Sequence, residues 1–275
     1  MTINCKGSLI DLSSPKVMGI LNLTPDSFYD GGKYKSEIQI LEQVEKMLIE
    51  GATFIDLGAY SSRPGANHIS EDEEKNRILP IIELVLSKFP NTILSIDTFR
   101  SEIAKNCIQA GAAIINDISA GSLDKDMITT IGMLKVPYIM MHMKGTPQTM
   151  KTLDQYVNLI HEIQIYFSEK IAEARKKGVN DIVIDPGFGF AKNVNQNFEL
   201  LKKLDTLKLQ GLPILAGISR KSMIYKSLNN TPSESLNGTT ALNTIALIKG
   251  ASILRVHDVK EAVECITLIQ KYTEA

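Results

Sequence analysis

The 275-residue chain has no tryptophan, three cysteines, four histidines and no apolar run of 18 residues. A membrane-spanning helix needs about 20 consecutive apolar residues, so none is expected. Cys5, Cys107 and Cys265 are odd in number and form no CxxC pair. A disulfide framework is therefore not expected, and a reducing, cytoplasmic setting fits. Cys107 and Cys265 fall in amphipathic stretches and read as small buried hydrophobes. His68, His142, His161 and His257 are scattered, without HExxH or paired spacing, so no structural zinc site is expected. No GxxxxGK[ST] occurs, and DPGFGFAKN (185–193) lacks the third glycine of GxGxxG. Charge of one sign is also lacking: 30 Lys and Arg against 31 Asp and Glu leave a formal net charge of −1. Such a balance offers no global field to nucleic acid or an anionic membrane, so any anion site must be local. The opening MTINCKGSLIDL has no basic segment followed by an apolar region, and no signal peptide is expected.

What is present is alternation. Short apolar runs occur at Val17–Leu21, Thr53–Leu57, Thr92–Ile96, Ala113–Ile115, Tyr138–Met141, Ile182–Ile184, Ile214–Ala216 and Ile253–Val256. Continuous runs of this kind suit parallel strands buried on both faces. Between them lie stretches of helical period. Ile40, Leu41, Val44, Met47 and Leu48 share a face before Gly51, and Ile160, Ile163, Phe167 and Ile171 share another before Gly178. Ser70 and Glu73 have capping-box spacing, as do Asp258 and Glu261, and Pro80 is expected to kink or restart its helix. Eight strand–helix units in one domain over residues 1–275 predict an α/β fold, a (β/α)8 TIM barrel, in preference to an open doubly wound sheet. Thr2–Leu12, turning at Lys6-Gly7, reads as a short hairpin over the N-terminal mouth.

In such a barrel the chemistry sits at the C-terminal ends of the strands. There the chain has Asn22; Ser61, Ser62 and Arg63; Asp97; Asn116 and Asp117; His142; Asp185; Ser219, Arg220 and Lys221; and Arg255 and His257. Any one aspartate in this position serves equally as a helix N-cap. Taken together, Arg63, Arg255, His257 and Lys221 suit phosphate oxygens, while Asp97, Asp185 and Asn116 suit a heterocycle edge rich in N–H donors. The pattern points to a phosphorylated heterocycle. Phe188 or Phe190 offers a ring to stack on it, or simply packs. A Mg²⁺ brought in by phosphates needs few protein ligands and leaves no spacing signature.

Several longer segments carry a family resemblance. MGILNLTPDSFYDGG (18–32) and IDLGAYSSRPGA (55–66) resemble the two signatures of the dihydropteroate synthases. The likeness continues through SIDTFRSEIA (95–104), GAAIINDISAG (111–121), MMHMKGTPQTM (140–150), DPGFGFAKN (185–193), GISRKSMI (217–224) and GTTALNTIALIKGASILRVHDV (238–259). It implies condensation of 6-hydroxymethyl-7,8-dihydropterin pyrophosphate with p-aminobenzoate to dihydropteroate, a step of folate synthesis. It further implies Mg²⁺ at Asn22, and pyrophosphate at Asn22, Arg63, Arg255 and His257. The pterin would lie against Asp97, Asn116, Met140, Asp185, Lys221 and Arg255, of which Asp97, Asp185, Lys221 and Arg255 would also serve catalysis. The p-aminobenzoate would lie near Ser62, Pro64, Phe190, Lys221 and Ser222. A homodimer, a sulfonamide-binding site and mobile loops at Thr24–Tyr34 and Ser61–Ala66 belong to the same implication. One departure is Tyr60, where the second signature commonly has an acidic residue. Two rivals share parts of this pattern: a pterin-dependent methyltransferase barrel, and a pterin-binding barrel without catalysis. Neither needs the basic set Arg63, Lys221, Arg255 and His257.

Overall fold

Parallel strands expose no edge if they close on themselves, and eight apolar segments of this chain do so. The computed structural model describes residues 1–23, 33–60 and 68–275. An antiparallel hairpin, β1 (Thr2–Cys5) and β2 (Ser8–Asp11), comes first. The barrel strands follow: β3 (Lys16–Asn22), β4 (Phe54–Gly58), β5 (Ile93–Asp97), β6 (Ile114–Asp117), β7 (Tyr138–Met141), β8 (Ile182–Asp185), β9 (Leu215–Ala216) and β10 (Ile253–Val256). They pair in chain order, β10 returns to β3, and a parallel bridge between Ile184 and Ile214 brings β8 to the start of β9. The expected (β/α)8 barrel is the observed architecture.

The helices form the outer layer: α1 (Lys33–Ile49), α2 (Glu71–Lys88), α3 (Ser101–Gln109), α4 (Met127–Leu134), α5 (Leu159–Lys176), α6 (Val194–Lys202), α7 (Ser222–Tyr225), α8 (Leu236–Ile248) and α9 (Val259–Glu274). Their apolar faces and the outward strand residues make one sleeve-like core that includes Val44, Ile55, Ile82, Ile115, Ile163, Phe167 and Leu254. A second core fills the barrel's lower interior, where Met18, Phe54, Ile114, Ile139, Val183 and Ile253 meet Ile3, Cys5 and Leu12 from the hairpin. Burying Ile3 and Leu12 there stabilises the fold by roughly 1.5–3 kcal/mol each. Asn4 N donates to Asp181 Oδ2 (2.8 Å) and Lys6 Nζ to Gly111 O (3.0 Å), so the hairpin is pinned across the N-terminal mouth. The opposite mouth is left for chemistry.

Local expectations were met unevenly. Ser70 caps α2 by accepting from Glu73 N, but Glu73 turns to Arg77 instead of back to the cap. Pro80 does not interrupt α2, which is continuous from Glu71 to Lys88. Asp258 caps nothing with its side chain, because Arg220 takes both of its oxygens. All three cysteines are buried and free. Among the described residues no helix is long and apolar enough to cross a membrane.

Candidate active site

A β-strand points alternate residues to opposite faces. In this barrel that rule selects the inward set: Asp56 on β4, Asp97 on β5, Asn116 on β6, Asp185 on β8 and Arg255 on β10. Arg255 is the hub. Its Nε donates to Asp56 Oδ2 (2.6 Å) and its Nη2 to Asp97 Oδ2 (2.9 Å), while Asn116 Nδ2 donates to the same Asp56 oxygen (3.1 Å). Asp56 was missed by the sequence reading, since it lies within the run Thr53–Leu57. It is fully buried, and among the described residues its Oδ1 has no hydrogen-bond partner. An orphaned buried acceptor costs about 1–3 kcal/mol unless a ligand donates to it.

Burial pushes the Asp97 carboxyl up to about 7, Asp56 adds repulsion, and Arg255 pulls against both. Burial alone would loosen the proton on Arg255, but Asp56 and Asp97 hold it more firmly than usual. The guanidinium therefore stays charged, and the carboxylates around it are sensitive to what else binds.

Across the mouth stand Asp185 and Lys221. Asp185 Oδ1 accepts from Gly187 N (2.8 Å), and burial raises its carboxyl despite Lys221. Lys221 Nζ donates to Phe188 O and lies 4.8 Å from the centre of the Phe190 ring. Burial lowers the Lys221 ammonium to about 8, and Asp185 limits that fall. Gly217 keeps this corner open: a Cβ there would stand 3.7 Å from Lys221 Nζ and 3.9 Å from Asp185 Oδ2. Gly58 does the same opposite, where a Cβ would lie 3.7 Å from Asp97 Oδ2 and 3.8 Å from Asn22 Oδ1. His257 Nδ1 lies 3.1 Å from Ser219 Oγ, and Ser222 opens α7 just after Lys221.

Asp97, Asn116, Asp185, Lys221, Arg255, Asn22, His257, Phe190 and Ser222 are thus gathered around one mouth. Met140 is not. It pairs with Asp117 and Ile184 in register and packs in the sleeve between barrel and helices. Its neighbour Met141 pairs with Asp185 and joins Met143, Ile118 and Phe190 in an apolar patch at the top of the barrel. A one-residue change of position inverts a strand side chain, so the inward methionine is Met141. Asp117 likewise faces outward. It accepts from Tyr138 Oη (2.6 Å), Ser119 and Gly121, a turn-capping role. Phe188 is buried in the sleeve, leaving Phe190 as the ring that reaches Lys221. Ser62, Arg63 and Pro64, the loop expected at Ser61–Ala66, and residues 24–32 of the loop expected at Thr24–Tyr34 lie outside the described residues.

Tyr60 is accounted for by its neighbours. Its hydroxyl lies 3.2 Å from His68 Nδ1 and receives Gln148 Nε2 (3.1 Å), while its ring meets Phe99 edge-on at 5.0 Å. The Arg100 guanidinium lies 5.4 Å from the ring centre and is ion-paired with buried Glu74. An aromatic ring with a polar tip is thus packed at this position, and Arg100 keeps Glu74 as its ion-pair partner.

Among the described residues no group of three or more His, Cys, Asp or Glu could hold a metal. Asn22 Oδ1 beside Gly58 is a hard carboxamide oxygen of the kind that suits Mg²⁺ carried by phosphate, whereas Asp97 Oδ2 next to it is taken by Arg255.

Comparison with known proteins gives a consistent picture. Residues 18–257 match the family of pterin binding enzymes. The dihydropteroate synthase of Escherichia coli (strain K12) is 42% identical over 272 residues, covering 98% of this chain and 96% of that protein. The Yersinia pestis dihydropteroate synthase, solved in a sulfonamide drug complex, superposes with a TM-score of 0.93 at 40% identity and full coverage of both chains. The Xanthomonas albilineans dihydropteroate synthase in complex with 7,8-dihydropteroate gives 0.90 at 32% identity, again with full coverage of both.

Proposed function

The chain belongs to the dihydropteroate synthases, within the pterin-binding enzymes, and on that premise we propose how its barrel mouth performs the synthase reaction. The enzyme is a transferase of folate synthesis. It condenses 6-hydroxymethyl-7,8-dihydropterin pyrophosphate with p-aminobenzoate, giving 7,8-dihydropteroate and pyrophosphate. The observation that carries the residue roles is the convergence of Asp97, Asn116 and Asp185 with Lys221 and Arg255 in one mouth.

The pterin's amino and ring N–H groups donate to Asp97, Asn116 and Asp185. Lys221 donates to a ring acceptor, and Arg255 lies along the ring and reaches the pyrophosphate. His257, Arg63 and Asn22 complete the anion's surroundings. Asn22 would hold a Mg²⁺ carried in by the phosphates, and that ion would supply charge neutralisation at the leaving group. The methylene carbon–oxygen bond breaks and pyrophosphate takes the electron pair. Asp97 and Asp185 offset the positive charge that develops on the pterin. The neutral arylamine then attacks through its lone pair and loses a proton. It needs no strong base, so the reaction does not call for a Ser–His–Asp triad. Phe190, Lys221, Ser222, Ser62 and Pro64 form the arylamine pocket, the site where a sulfonamide would compete.

The decisive assay follows pyrophosphate release and dihydropteroate formation in parallel, with and without p-aminobenzoate. Matched release and product, lost in EDTA and restored by Mg²⁺, are expected. Tight binding of the pterin ester without turnover would instead favour a binding relative.

The pH dependence has a stated sign. Charged Lys221 is the stronger donor; burial brings its ammonium down to about 8, Arg255 adding repulsion and Asp185 and Asp97 opposing the fall. Affinity for the pterin ester therefore falls as pH rises through about 8. Lys221→Arg stays protonated and loses this alkaline limb, even if its affinity is lower throughout. An unchanged alkaline limb in that variant would assign the titration elsewhere.

The whole chain acts as one domain, and we place it in the cytoplasm, where its three free cysteines stay reduced. A homodimer is supported by apolar residues left exposed on the adjacent helices α8 and α9: Ile245, Ile248, Leu268 and Tyr272. Sedimentation as a single chain would count against it.

A further inference from the structure

Lys192 folds back into its own loop. It follows the turn Gly187–Ala191 and is only 9% exposed. Its Nζ donates to Gly187 O (2.9 Å), Phe190 O (3.0 Å) and His142 Nδ1 (3.1 Å). Burial lowers this ammonium to about 7 and Asp185 limits the fall; in the protonated state its three N–H donors are all used. His142 accepts at Nδ1, so its ring is neutral there. Burial and the adjacent lysine push His142 down to about 2, in agreement with that state.

This is a costly arrangement if only packing is required. A buried ammonium held by carbonyls and an imidazole, instead of by a carboxylate, gives up hydration for neutral partners. Methionine would fill the same space without that cost. What the ammonium adds is a set of fixed bonds to one turn, and that turn reaches the mouth at two points. Phe188 O accepts from Lys221, and the Phe190 ring lies against the same Lys221. Gly187 is seated hard against the neighbouring loop: a Cβ there would stand 2.1 Å from His142 O, and its φ is +73°. The turn is therefore clamped between His142 on one side and Lys221 on the other.

We infer that Lys192 is a positioning residue for the arylamine substrate: by holding the Gly187 and Phe190 carbonyls it sets the place of the Phe190 ring, and so the fit of p-aminobenzoate. The inference rests on the proposed function, in which Phe190 and Lys221 line the arylamine pocket. The pterin edge meets the turn only through Lys221 and the Gly187 N–H that Asp185 accepts, while Asp97, Asn116 and Asp185 are themselves carried by β5, β6 and β8.

The test is Lys192→Met, with kinetics in p-aminobenzoate and calorimetric binding of the pterin ester in Mg²⁺. The expected result is a KM for p-aminobenzoate raised about tenfold, while the Kd of the pterin ester changes less than threefold. Lys192→Arg, which keeps the donors, should recover part of the loss. Should Lys192→Met not fold, His142→Leu removes one of the three acceptors and should raise the same KM about threefold. Unchanged KM, or equal losses in KM and in pterin Kd, would overturn the positioning role and leave Lys192 as a fold element only. Wild-type protein that releases no pyrophosphate would refute the synthase reading itself, and the inference with it.

Discussion

Asp185→Ala is expected to bind the pterin ester roughly 10²–10³-fold more weakly than the wild type, with little change in fold. The size follows from what the carboxylate holds. Asp185 is 5% exposed at the end of β8, and one oxygen accepts from Gly187 N. Its other oxygen borders the gap left by Gly217, beside Lys221. Truncation removes the pterin's acceptor and strips the nearby ammonium of its main counter-charge. Leaving a buried donor edge without its acceptor costs about 1–3 kcal/mol, and more where a charged group is involved. Asp185→Asn separates the contributions: it keeps an acceptor for Gly187 N–H but not the charge. It should retain the turn and still lose most of the ester affinity. Isothermal titration with the pterin ester reads both variants, and near-wild-type affinity in Asp185→Ala would remove Asp185 from the pterin site.

The barrel was legible because parallel strands, covered on both faces, read as uninterrupted apolar runs. The same property hid details of the site. Asp56 sits inside such a run, and only barrel closure reveals that it faces Arg255. Tyr138–Met141 has no polar–apolar alternation, so nothing in that stretch says which of two adjacent methionines turns inward. The structure chooses Met141 through its register with Asp185. Lys192 lies within DPGFGFAKN, yet its role was not legible there, because it depends on a turn that brings residues 187, 190 and 142 to one ammonium. The lost cap at Asp258 has a similar origin. A distant arginine, Arg220, competes for the side chain with the local helix start and takes it with two bonds. Strand-end polarity marked the mouth, whereas the internal pairing of the site required the three-dimensional closure.

Arg255→Ala should reduce kcat/KM by about 10⁴, and it should weaken the pyrophosphate ester far more than free hydroxymethyl pterin. Arg255 reaches two carboxylates at once, so its loss leaves Asp56 and Asp97 buried side by side without their cation. Two like charges in that setting favour protonation, so the Asp97 carboxyl is pushed further upward once Arg255 no longer opposes the shift. For a carboxyl whose folded-state pKa is raised, the associated stability is present at low pH and is lost as pH rises through that pKa. In the wild type burial already brings Asp97 to about 7, with Arg255 opposing the shift. The variant should therefore lose thermal stability more steeply than the wild type as pH rises from the acid side through neutrality. Arg255→Lys distinguishes charge from geometry. A lysine restores a positive charge but cannot supply the fork that joins Nε to Asp56 and Nη2 to Asp97. It should recover much of the stability and little of the turnover. If Arg255→Ala weakens the ester and the free pterin equally, the guanidinium acts on the ring and not on the leaving group, and its phosphate role is refuted.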